Sequence, residues 1–173
     1  MTRDAHRSAV YAAEDQLGHL LARGGTIDFF GSSLALPIER RFADLASVQR
    51  YADAVLGLPW VTRAFPRATP VRVRERAGGG RAHYESETGV IAIPLAGPAG
   101  TRWAARETVV LHEVAHHLVA MSAAAQPAHG PVFCGTLLYL VGGVIGPEAA
   151  LVLRASFDGA GVPVTDLPVV SPA

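Results

Sequence analysis

The residues able to do chemistry are concentrated in one short run, TVVLHEVAHHL, from Thr108 to Leu118. Three histidines and a glutamate stand there among Val, Leu and Ala, and a core helix gains nothing by burying imidazoles and a carboxylate without partners. On a helix of 3.6 residues per turn, His112 and His116 lie about 40° apart around the axis, one turn above the other. Two imidazoles so related can hold one zinc ion while Glu113 projects beside them without being a ligand, so HEVAH is an HExxH pattern. In a chain with 7 His, such a pattern arises somewhere by chance with a probability of roughly 1 %. His117 sits about 140° around the axis from His112 and is expected to make an ordinary hydrogen bond. Trp103, Val110, Val114, Leu118 and Met121 fall near the opposite side, so the helix is expected to be buried on two faces.

A catalytic zinc site needs a third protein ligand. The pattern HExxHxxGxxH is not met, since Val119 and Ser122 stand where its Gly and third His would be. Three candidates remain: Glu148 in GPEAAL, Cys134 in PVFCG and His129 in AHGPVF. His129 is the one expected, because the stretch after His116 can finish one helix, turn, and return at the mouth of a second. Cys134 reads better as a small core residue. His83, Tyr84 and Tyr139 are the candidate donors to charge developing on a substrate, and each reads equally as a half-buried sheet or core residue. Glu107 is expected to pair with Arg102 or Arg106 on its own helix.

Several elements must position this helix. Helical spacing of Val10, Leu17, Leu20 and Leu21 predicts a helix from about Arg7 to Leu21, ended by Gly24 and Gly25. TIDFF, from Thr26, reads as a strand. Leu45, Val48, Tyr51, Ala52 and Val55 predict a second helix over Leu45 to Leu56, closed by Leu58-Pro59. VRVRER alternates strictly and reads as a strand with Arg72, Arg74 and Arg76 on one face, a solvated face being expected at zero net charge. RAHYESETGVIAIP predicts a hairpin of Ala82 to Glu85 and Val90 to Pro94, turning near Thr88-Gly89. The second of these strands is a place where an extended substrate could add by strand pairing. Thr101 is the expected N-cap of the HEVAH helix, which should fade between Ser122 and Pro127. Pro131 is expected to open the next helix, and a short one follows from Pro147 to Phe157.

The chain has 173 residues, half of them apolar and 17 % charged, which predicts one α+β domain over residues 1–161 and a Pro-containing tail over 162–173. Its 15 basic residues are all Arg and balance 15 acidic ones, so no global field points to nucleic acid or an anionic membrane. One cysteine gives neither an internal disulfide nor a CxxC zinc ribbon. The N-terminus lacks the apolar run of a signal peptide, which makes the cytoplasm the expected location. Pro131 to Pro147 carries no charge over 17 residues, yet its four glycines fit a buried core helix better than a membrane span. Oligomeric state leaves no mark on the sequence.

HEVAHHL followed by HGPVFC resembles the SprT-like zinc peptidases, whose HExxH helix precedes a third histidine in an HGPxF-type motif. The YE-containing hairpin, the VIAIP strand and the WxxRExxxLHExxH helix are also similar to an actinobacterial family described only as metallohydrolases. The former resemblance spans about thirty residues and the latter most of the chain. The resemblance implies a zincin-like metallopeptidase fold, with a small, mostly antiparallel sheet against a central HExxH helix and flanking helices. It implies His112, His116 and His129 as zinc ligands, Glu113 as the catalytic base, and a peptide or protein substrate. The cysteine ribbon of many SprT-like proteins is missing, so a DNA-linked role is not carried over. The rival expectation is a non-catalytic module in which zinc holds the helices together. A structural site has no use for a carboxylate next to its ligands, so Glu113 separates the two.

Overall fold

The computed structural model describes residues 4–78, 81–95, 104–122 and 127–167. These are mixed α+β, with six helices and two small sheets. They form two compact units, Met1–Glu39 with Ala125–Ala173, and Arg40–Ala124.

In the first unit, α1 (Arg7–Arg23) buries Val10, Ala13, Leu17, Gly18 and Leu21, one stripe at helical spacing. It stops where expected. Gly24 takes φ 61° and its amide returns to the Leu20 carbonyl; a Cβ there would also meet Ile38 at 2.6 Å. The chain then forms an antiparallel hairpin, β1 (Gly25–Phe29) and β2 (Ser32–Leu36). TIDFF is thus a strand, but β2 had no sequence expectation. Its turn is Phe30-Gly31, both with positive φ (51° and 81°), a primed turn without its usual Asn-Gly signature. After residue 124 come α5 (Pro131–Val144) and α6 (Pro147–Gly159), each with proline in its opening turn. α6 packs against α5, α1 and β2. The described part of the tail lies on this pair. The Thr165 amide donates to the Pro131 carbonyl, and Arg154 on α6 holds Asp166. A Cβ on Gly135 would sit 1.8 Å from the Thr165 carbonyl oxygen, so only glycine lets the segment cross α5 there.

In the second unit, α2 (Leu45–Leu56) opens with Asp44 and Ser47 capping each other and buries Val48, Ala52, Val55 and Leu56. Pro59 does not simply close α2; it starts a separate helix, α3 (Pro59–Ala64). The sheet has the order β3 (Arg72–Glu75), β5 (Val90–Ile93), β4 (His83–Glu85). β4 and β5 are the expected antiparallel hairpin, while β3 runs parallel to β5. β5 is therefore central and hydrogen-bonded on both edges. That overturns the expected addition of a substrate strand to it. All four of its residues are buried, as VIAI without alternation suits a strand covered on both faces. α4 (Glu107–Ser122) packs on β4 and α2. Thr101 lies outside the described residues.

No helix among the described residues is long and apolar enough to cross a membrane; α5 is a buried helix, as its glycines suggested.

Candidate metal centre

Two polar residues of α4 fix how the helix is set. At its start, the buried Glu107 carboxylate accepts from the Arg40 amide at 3.0 Å, the Arg40 guanidinium, and the Tyr51 hydroxyl at 2.7 Å. The backbone adds Glu107 N–H to Arg40 C=O and Phe42 N–H to Ala105 C=O. Glu107 thus binds across the fold to Arg40 and Tyr51, where a pair on its own helix was expected. Burial and the neighbouring Glu107 push the Tyr51 phenol far above its ordinary range, so it stays a donor. Near the other end, His117 Nε2 lies 2.7 Å from the Thr69 carbonyl oxygen, which can only accept, so that nitrogen carries hydrogen. Its Nδ1, 3.1 Å away, accepts from Tyr84 on β4. His117 is thus a neutral, fully used imidazole facing away from His112, as its helical angle predicts.

Burial lowers the His117 pKa from its ordinary value of 6.5, the Thr69 contact opposing in part. Below pH 6.5 the unfolded chain takes up a proton that the folded chain resists, so stability falls as the solution is acidified from there. Urea titrations of metal-free protein between pH 8 and 5.5 are expected to show that loss, and a His117→Gln variant a shallower one. Equal slopes would mean that His117 does not carry the dependence.

Between these two anchors lie His112 and His116. Their Nε2 atoms face each other at 3.0 Å, with ring centroids 4.7 Å apart and planes at 75°. Two ring nitrogens that close share either a proton or a cation. The spacing approaches the edge of a zinc tetrahedron, about 3.4 Å for bonds of about 2.0–2.1 Å. Glu113, next in the chain, is 3 % exposed.

His129 ends the turn before α5, closed by the Gly130 amide on the Pro127 carbonyl. It is 5 % exposed and lies between the rings of Tyr11 (5.1 Å) and Phe133 (5.0 Å). Its Nδ1 is 2.7 Å from Asp4 Oδ2. One ligand atom from each of His112, His116 and His129 lies within 4.8 Å of the others. Three imidazoles at that spacing are close enough to bind one metal ion, and their nitrogen donors suit zinc among others.

The other candidates fall elsewhere. Cys134 is fully buried, its thiol points at the His129 carbonyl 3.8 Å away, and burial raises its pKa to about 12; it is a protonated core thiol. Glu148 stands in the opening turn of α6, where a carboxylate suits the helix dipole. Tyr84 gives its hydroxyl to His117. His83 is exposed, with Nδ1 3.1 Å from the Arg76 guanidinium and Nε2 3.5 Å from Glu85. Tyr139 lines a depression with Gly135, Leu138, Arg154 and Asp166. Of the arginine face, Arg74 pairs with Glu85 and Arg76 donates to the Arg81 carbonyl, while Arg72 is exposed. Asp4 went unread in the sequence; nothing in a lone aspartate far from His129 signals the contact.

No protein-family model matches the chain, and neither a curated protein nor a solved structure does.

Proposed function

We propose that the protein is a zinc-dependent hydrolase of the zincin-like kind, cleaving an amide or peptide bond in a peptide or protein substrate in the cytoplasm. The observation that supports this most is the grouping of His112, His116 and His129 within 4.8 Å, with Glu113 beside the first of them. The likeness of HEVAHHL and HGPVFC to SprT-like peptidases, and of most of the chain to actinobacterial metallohydrolases, points the same way.

His112, His116 and His129 would hold the metal through neutral ring nitrogens. When bound, zinc lowers the pKa of a water towards about 7 and withdraws charge from a carbonyl oxygen. Glu113 takes the proton as the water oxygen attacks the carbonyl carbon, then delivers it to the nitrogen as the C–N bond breaks. Both transfers need a carboxylate that is not itself a ligand of the metal. Glu107 and His117 act only by fixing the rotation of α4.

The test is hydrolysis of a fluorogenic peptide library by zinc-loaded protein. Turnover of at least one member, lost on chelation and restored by zinc, is the expected result. A loaded protein that cleaves none of them would contradict the reading.

A further inference from the structure

The N-terminal segment contributes a residue that the HEVAH motif does not contain. Asp4 precedes α1, yet its Oδ2 lies 2.7 Å from the Nδ1 of His129, across 125 positions of sequence. A carboxylate oxygen only accepts, so the hydrogen of the neutral imidazole sits on Nδ1 and its lone pair on Nε2. The ring is held in plane as well. Tyr11, one helical turn and more along α1, packs at 56° to it, and Phe133 on α5 at 76°. A second feature of Asp4 points to a cation. Its Oδ1 is buried and has no hydrogen-bond partner among the described residues. A carboxylate oxygen in that position is costly unless positive charge lies near, and a metal ion on the far nitrogen of the imidazole supplies it.

We propose that Asp4 is the positioning residue of the third ligand: it fixes the tautomer and the plane of His129, raises the basicity of its Nε2, and so sets the affinity of the site for a divalent cation. This inference rests on the zinc-site reading above and deepens it. It makes the segment ahead of α1 part of the metal centre's chemistry. Carboxylates that orient a ligating histidine in this way typically account for 10–100-fold in metal affinity.

The experiment measures zinc affinity by competition with a chromophoric chelator for wild type, Asp4→Asn and Asp4→Ala, together with the 15N tautomer signature of His129 in the metal-free proteins. Asp4→Asn is nearly isosteric and keeps the test open if Asp4→Ala folds poorly. The expected result is an Nδ1–H tautomer in wild type, a mixed one in Asp4→Ala, and zinc affinity about 10–100-fold weaker in both variants. A merely structural aspartate would change thermal stability and leave tautomer and affinity alone. Tight zinc binding by wild type, with equal affinity in both variants, would overturn the role of Asp4 while leaving the zinc site standing. Failure of wild type to bind zinc would overturn both.

Discussion

Replacing Glu113 with glutamine is expected to leave one zinc ion per chain in place and to slow peptide hydrolysis by about 10²–10⁴-fold. Glutamine has the size and shape of the glutamate but cannot take up a proton, so the variant separates base chemistry from packing. Glu113 is 3 % exposed and follows His112 directly on a helix anchored at both ends. Neither the histidine pair nor the helix should move. The loss should appear in kcat and much less in KM, because the proton is transferred during reaction and not on binding. Zinc content measured on the same preparation completes the comparison. A variant with intact zinc and undiminished turnover would place the base elsewhere. Zinc lost along with activity would mean that Glu113 helps to hold the metal.

Truncating Glu107 to alanine is expected to cost about 3 kcal/mol of stability. Its carboxylate satisfies the Tyr51 hydroxyl and the Arg40 amide, two groups that would be left without an acceptor. Each such orphaned donor costs about 1–3 kcal/mol. The Arg40 guanidinium adds little, since its side chain is 62 % exposed and water replaces the lost partner. For a chain of 173 residues this corresponds to a fall in Tm of about 6–12 °C. Glu107→Gln keeps an acceptor oxygen and should lose less than half as much. Thermal unfolding followed by circular dichroism decides it. A Tm within about 1 °C of wild type for Glu107→Ala would show that the start of α4 is held by its backbone bonds alone.

The local parts of this architecture could be read before any coordinates. The apolar stripe of α1 and its stop at Gly24, the span of α2, the hairpin of β4 and β5, and the proline start of α5 all follow from spacing and turn chemistry within a dozen residues. What could not be read depends on distant partners. The parallel pairing of β3 with β5 puts VIAI in the middle of the sheet, and nothing inside that strand specifies its second neighbour. β2 escaped notice because Phe30-Gly31 is an uncommon primed turn, and α3 because Leu58-Pro59 reads as readily as an end as a beginning. The site divides in the same way. HEVAH declares itself through its i, i+4 spacing, and His129 through the turn before Pro131. The anchors of α4 and the orientation of His129 do not, since Glu107 meets Arg40 and Tyr51 across 67 and 56 positions, and His129 meets Asp4 across 125.

The central claim is that three histidines hold one catalytic zinc, and metal content addresses it most directly. Untagged wild-type protein and His129→Ala would be compared by native and elemental mass spectrometry after identical purification. One zinc per wild-type chain, lost or greatly weakened in the variant, is the predicted result. Zinc retained in full without His129 would contradict the three-histidine site, and a wild-type chain with no affinity for zinc would contradict the account as a whole.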